Sequence, residues 1–432
     1  MIRNRDALER SRAHVTALEC LEAALAAADP ELAVEDAVWY DGAELRVDGT
    51  GYALPERVLV VGAGKGVVKL VRGLQPVLAA APVELDGVVV ADEPAELDGV
   101  EVVVGGHPVP NEGSVAGGEA ILEALASADS ETLVLACFTG GASALCEVPG
   151  GDLTIDDVRE ATQGLLDAGA PIEATNAVRR HCSRVKGGRL AATAGEARVV
   201  GLLISDVAGD DPAVIASGPV AGDPTTYRDA LDALDKYGVE APAVRAHLEA
   251  GVRGDHGETP DAIAVPTHVL ASARTTTDAA HRRASERGYA TCVLTTRLRG
   301  EARGVAPVFA AIAEELDAND DPVETPAVVL AAGETTVRVT GDGVGGPNGE
   351  LASAVAPHLP PRAAFAAIDT DGKDGSAEHA GAIVGPGEVT VGEAEAALRE
   401  NDSHTLLADC LVDTGGATGT NVNDLVVLVV EQ

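Results

Sequence analysis

The chain has 432 residues, 46% of them hydrophobic, with 69 acidic residues against 31 basic ones and a net charge of −38. A surface of that sign repels nucleic acid and anionic membranes, which excludes both as expected partners. The length exceeds one simple core, so two α/β domains are expected. The acids are spread along periodic segments, and only five lysines stand against 26 arginines. That usage resembles the proteins of salt-loving organisms, with high salt expected to screen the self-repulsion. Six cysteines show neither a C-x-x-C pair nor zinc spacing, which suits small buried residues in a reducing cytosol. The opening MIRNRDALERSRAH has no apolar h-region, and no apolar run reaches about 18 residues. A cytoplasmic location is the expectation, with no signal peptide and no membrane span.

From Ala7 to Ala27 apolar residues recur at helical spacing. RVLVVGAGKG (57–66) then reads as a buried strand entering a glycine turn, and VVKLVRGLQPVLAAA continues it as a helix. Two more strand-like runs follow at 85–92 and 100–108, a helix at 114–128, and a strand, glycine turn and helix in TLVLACFTGGASAL (132–145). TIDDVREATQGLLDAG (154–169) opens on a threonine cap, and TNAVRRHCSRVKGGRLAATAG (175–195) is expected to be helical up to its glycine pair. VVGLLISDVAGDDP (199–212) is a further strand ending in acids. This alternation predicts a doubly wound, Rossmann-like parallel sheet with ligands at the carboxyl ends of its strands. Strand-like runs stop between about 222 and 262, so the expected domains are 1–250 and 262–432. The second half resumes the alternation through AVVLAAGETTV and AAFAAIDTDGKDG to NDLVVLVV.

Four constellations could carry chemistry. In G-A-G-K-G, Gly62, Gly64 and Gly66 would let backbone N–H groups approach an anion, and Lys65 adds a full charge. The pattern is neither Walker A nor G-x-G-x-x-G. In T-G-G-A-S-A (139–144), Gly140, Gly141 and Ser143 could hold a phosphate or carboxylate. Asp206 ends a strand, where it could ligate Mg²⁺ or accept a hydroxyl proton; Asp210 and Asp211 could do the same or cap a turn. Arg179, Arg180, Arg184, Lys186 and Arg189 are five cations close together in an acidic chain, so they either meet an anionic ligand or pair with the protein's own acids. His107 in G-G-H-P-V-P-N-E could contact a ligand or cap a turn, and Asn348, Glu350, Asp371, Asp374, Asn421 and Asp424 sit in late polar, glycine-rich loops.

Taken together and in order, VVGAGKG, GGHPVPNEGS, TGGASAL, TNAVRRHCSRVKGGRLA, LLISDVAGDDPAVIASGPVAGDPTT, AAGETTV, TDGKDG and TGTNVNDL resemble the glycerate 2-kinase family over essentially the full length. The C-terminal half of that family is called the MOFRL domain, and members also carry the name hydroxypyruvate reductase. The resemblance implies two α/β domains with the active site in the cleft between them, ATP and Mg²⁺ as the donor system, and 2-phosphoglycerate as product. It implies that the family's lysine and S-D-V acid are Lys65 and Asp206, the expected catalytic residues; Asp206 and Asp211 are the expected metal contacts, and Glu334 of AAGETTV joins the expected substrate or nucleotide contacts. The family commonly reads G-G-R-N-x-E late in the chain, with a catalytic role given to its arginine; here that position is Pro347. Two other classes remain open: an NAD(P)-linked hydroxypyruvate reductase, for which Asp86 stands near the required spacing after the first glycine turn, and a non-catalytic binder of sugar acids or nucleotides.

Overall fold

The computed structural model describes residues 2–432, and the chain divides into two compact units. One contains residues 30–205 and 210–270, the other residues 1–29, 206–209 and 271–432.

The first unit opens with a small antiparallel sheet of β1 (Val38–Tyr40), β2 (Glu44–Val47) and β3 (Thr50–Ala53). Asp48 and Gly49 join β2 to β3 with φ of 47° and 79°, the paired left-handed residues of a tight hairpin turn. A six-stranded sheet follows from β4 (Arg57–Ala63), β5 (Glu84–Ala91), β6 (Val100–Val104), β7 (Thr132–Phe138), β8 (Arg198–Ile204) and β9 (Thr267–Ala271). Its order is β6-β5-β4-β7-β8-β9, and the pairs β4–β5, β5–β6, β4–β7 and β7–β8 are all parallel. Counted from β4 this is the 3-2-1-4-5-6 order of doubly wound nucleotide-binding sheets. The near-continuous apolar runs of β4, β7 and β8 follow from it, because strands covered on both faces have no polar side. The order reverses between β4 and β7, which opens a crevice at their carboxyl ends.

A helical layer in the same unit packs Leu165, Val178, Leu234 and Leu248 around Tyr227. The helix expected to run from 175 to the glycine pair instead stops at His181. Residues beyond it turn to pair with 148–150: Arg184 N–H donates to the Val148 carbonyl at 2.8 Å, and Ser183 bridges Pro149. Gly187 and Gly188, with φ of 58° and 79°, then lead into a second short helix, Arg189–Thr193.

The second unit is built on a mixed sheet of β10 (Ala290–Leu298), β11 (Ala327–Gly333), β12 (Ala363–Asp369), β13 (Gly381–Val384) and β14 (Asp424–Val430), in the order β10-β11-β14-β12-β13. β14 is central and antiparallel to both neighbours. Its alternate residues serve two cores. Leu425, Val427 and Val429 meet Ala17, Leu21 and Leu25 of the helix Arg12–Ala28, while Val426 and Leu428 meet Phe309, Leu351 and Phe365.

Two expected domain limits differ from this arrangement. The first 29 residues group with the C-terminal sheet because the apolar face of Arg12–Ala28 covers one side of it. β9, placed by the sequence boundary at the start of the second domain, is the edge strand of the first sheet. Among the described residues all six cysteines are free thiols, and no helix is long and apolar enough to cross a membrane.

Candidate functional site

The loops after β4 and β7, at the point where strand order reverses, are laced together. Thr139 N–H donates to the Ala63 carbonyl at 3.0 Å, Lys65 N–H to the Gly140 carbonyl at 2.9 Å, and Gly66 N–H to Thr139 Oγ1 at 2.9 Å. Gly64 N–H reaches the Val90 carbonyl at 3.1 Å. The glycines earn their places by crowding. A Cβ on Gly62 would overlap the Cys137 backbone, and one on Gly64, whose φ is 137°, would overlap Thr139. This corrects one expectation: the N–H groups of Gly64, Lys65 and Gly66 are spent inside the protein and form no open anion cradle. What the turn presents is the half-buried Lys65 side chain. A Cβ on Gly141, at φ 85°, would lie 3.3 Å from Lys65 Cγ and 3.0 Å from His107 Cδ2, so these three groups are packed together.

Gly141, His107, Ser143 and Arg179 line a cavity of about 460 Å³ within the first unit. Its wall continues through Pro108, Val109, Ala144, Val158 and Leu166, with Glu147, Arg159 and Glu160 as further charged members. Ser143 Oγ lies 2.8 Å from Ser217 Oγ, which donates to Asn176 Oδ1 at 3.2 Å. Ala216 and Ser217 hold φ of 54° and 64°, an uncommon conformation for residues with a side chain and one that clusters at functional sites.

The five cations of the basic segment have separate destinations. Arg180 is buried and bonded to Asp223 at 2.9 Å. Lys186, 1% exposed, donates to Glu147 Oε2 at 2.5 Å and to the Cys146 carbonyl at 3.1 Å. Arg189 donates to Tyr227 Oη at 3.2 Å and the Gly257 carbonyl at 2.9 Å, and Arg184 is exposed. Arg179 faces the cavity and makes no ion pair among the described residues; burial lowers its pKa, and the nearby Glu147 charge opposes that shift. Lys186 and Arg189 are therefore committed to partners in the protein, and Arg179 is the cation of this segment that lines the cavity.

Asp206 is half-buried directly after β8. Asp211 is exposed, and its carboxylate accepts from Ala213 N–H at 2.9 Å, capping a turn. Among the described residues no group of three or more His, Cys, Asp or Glu side chains is arranged to hold a metal ion.

The late candidates lie at strand ends of the second unit, mostly turned inward. Asp369 ends β12 beside Asp424, the first residue of β14. Burial pushes Asp424 up to about 8 and, with the neighbouring Asp424 and Asp371 charges, raises Asp369 well above the ordinary carboxylate range. Asn348 Nδ2 donates to Asp424 at 2.7 Å, and Thr335 N–H donates to the other oxygen at 3.2 Å. Asp374 accepts from Asn348 N–H at 2.9 Å, Gly349 N–H at 2.7 Å and His404 Nε2 at 2.9 Å. It thereby caps from outside the helix Pro347–Val355, whose own N-cap residue, Gly346, offers no side chain. Pro347 is the first residue of that helix, where its fixed φ is preorganised and its missing N–H costs nothing. Glu350 is 1% exposed and bonded to Arg303 at 3.0 Å and Asn401 at 2.6 Å. Asp371 and Asn421 accept backbone bonds from Lys373 and Asn423, and Glu334 is exposed just after β11. Glu147, Asn176 and Ser217 are not among the residues expected from the sequence, although an acid inside the apolar run ALCEVPG is a usable signal for the first.

The strand order and the two glycine loops at the switch point define a doubly wound α/β protein of the nucleotide-binding type of sheet. Family models agree on both halves: residues 16–249 match a domain of unknown function (DUF4147) and residues 327–424 match the MOFRL family. The chain is 37% identical to a glycerate 2-kinase of Pyrococcus horikoshii, covering 94% of this chain and 95% of that one. It is 38% identical to a protein of Agrobacterium vitis, provisionally named a hydroxypyruvate reductase, over 94% and 91% of the two chains. A crystal structure of a glycerate kinase (EC 2.7.1.31) from Thermotoga maritima superposes with a TM-score of 0.84 at 32% identity, covering 96% of this chain and 99% of that one. The chain belongs to the glycerate 2-kinase family, a family of phosphotransferases.

Proposed function

We propose that the chain transfers the terminal phosphoryl group of ATP to the 2-hydroxyl of D-glycerate, giving 2-phosphoglycerate. The observation that carries this reading is the packing of Lys65 beside Gly141 and His107, two residues that line a cavity together with Arg179. Phosphoryl transfer asks mainly for positioning and charge neutralisation. Lys65 neutralises the transferring phosphoryl group. Arg179 takes the glycerate carboxylate, with the Gly140–Ser143 turn as the wall beside it. Asp206 either ligates Mg²⁺ or accepts the proton of the attacking hydroxyl. Mg²⁺ is usually held by one or two carboxylates, with phosphate oxygens and water completing its octahedron, so one half-buried acid directly after β8 is a fitting donor. Bound there, Mg²⁺ would offset charge on the phosphate oxygens. The residue at 347 contributes no charge, and the reading does not depend on it.

The reductase alternative meets an obstacle in Asp86. A ribose-binding acid belongs at the carboxyl end of its strand. Asp86 lies near the start of β5, bonded to Arg57 at 2.8 Å. One assay separates the readings. Incubation with glycerate, ATP and Mg²⁺ is expected to release ADP and form 2-phosphoglycerate. Oxidation of NAD(P)H by hydroxypyruvate without ADP release would overturn the proposal.

A further inference from the structure

The geometry points to Glu147 as the residue that selects the acceptor, its second carboxylate oxygen accepting a hydrogen bond from the hydroxyl that is not phosphorylated. This rests on the kinase reading above. Glu147 is 2% exposed and lines the cavity beside Arg179 and Ser143. Lys186 satisfies Oε2 and balances the charge, but Oε1 is buried with no hydrogen-bond partner among the described residues. A buried carboxylate oxygen without a donor is expensive to leave unmade, and the cavity is the open side from which a donor can come. Ser143 adds to the pattern. Because Ser217 gives its one hydroxyl hydrogen to Asn176, Ser143 must donate to Ser217, and its remaining capacity is to accept. Beside Arg179, Glu147 and Ser143 therefore add two acceptors at the inner end of a wall that also carries Glu160 and Gln163.

The complementary ligand carries a carboxylate for Arg179 and hydroxyl hydrogens for Glu147 and Ser143, which is a hydroxy acid with more than one hydroxyl. The negative charge of Glu147 also repels the ligand carboxylate and so fixes which end enters first. Arg159 lines the same space but is engaged with Asp156 and, at 2.5 Å, the Pro110 carbonyl.

The test compares kcat/KM for glycerate with that for lactate, which keeps the 2-hydroxyl and lacks the 3-hydroxyl. A site built to bond a hydroxyl rejects the analogue without it, so wild-type protein should prefer glycerate by about 10²-fold or more. Glu147→Gln should lower kcat/KM for glycerate by about 10- to 100-fold, the loss expected of a charge-assisted hydrogen bond. Lactate should change by less than about threefold, so the ratio collapses. The double variant Glu147→Gln, Lys186→Met removes the buried charge that the single change strands, and it should show the same collapse. An unchanged ratio in a folded variant, an equal loss for both acceptors, or a wild-type ratio below about ten would each overturn the assignment. If neither variant folds, the wild-type ratio decides. Wild-type protein that does not phosphorylate glycerate at all would refute the kinase reading, a result distinct from each of these.

Discussion

The strand ends of the two sheets carry polar clusters of opposite character. Around β4 and β7, backbone groups are spent holding two glycine loops together, which leaves the Lys65 side chain packed beside Gly141, a residue that lines the cavity with Arg179. Around β11, β12 and β14, acids dominate, and they are consumed by the protein: Asp374 caps a helix, Glu350 meets Arg303 and Asn401, and Asp424 is pushed toward its neutral form. Polar density at strand ends is therefore not itself a sign of a ligand site. The distinction lies in whether the groups find partners inside the fold.

If that contrast is right, substitutions in the two regions should fail in different ways. The largest effect is expected from Lys65→Ala, which should lower kcat by about 10²–10³-fold with Tm unchanged. A variant keeping more than about a tenth of wild-type turnover removes Lys65 from its role. Asp374→Ala should do the reverse, costing about 3 kcal/mol of stability as two helix N–H groups and His404 lose a buried acceptor, measurable by denaturant unfolding. Loss of activity at full stability would instead place Asp374 in the chemistry. The pH dependence sharpens the same point. Asp424 titrates near 8 when folded and near 4 when unfolded, so the folded state binds more protons in between. Stability should fall as pH rises from about 4 to about 8, and Asp424→Asn should flatten that slope. The smallest expected effect is general. With a net charge of −38, raising salt from about 0.1 to 1 M shortens screening from about 10 to 3 Å and should raise Tm by a few degrees. Full stability and activity in dilute buffer would remove the halophilic reading.

Much of the first sheet was legible because its strands are continuous apolar runs broken by glycine, and a parallel sheet covered on both faces leaves that trace. Lys65 and Ser143 stood out for the same reason, as polar residues in turns directly after such strands. Long-range partnership was not legible. Nothing in VKGGR announces that Lys186 meets Glu147, nor that Arg180 meets Asp223, because those pairs form only once distant segments fold together. The hairpin between β2 and β3 is marked in the sequence by its Asp-Gly turn. The helix Arg12–Ala28 showed its periodicity plainly, while its destination did not, since an apolar face names no partner.

That destination constrains the order of assembly during synthesis. Thr16 of the first long helix bonds Tyr289 at 2.9 Å, a separation of 273 positions, and the same helix packs on β14. The strand that fills the centre of the second sheet is translated after its neighbours on both sides. On a ribosome, the helix must wait with its apolar face uncovered while the six-stranded sheet is completed. Its closure with β14 spans nearly the whole chain, a contact of very high order that belongs to the late, slow phase of folding.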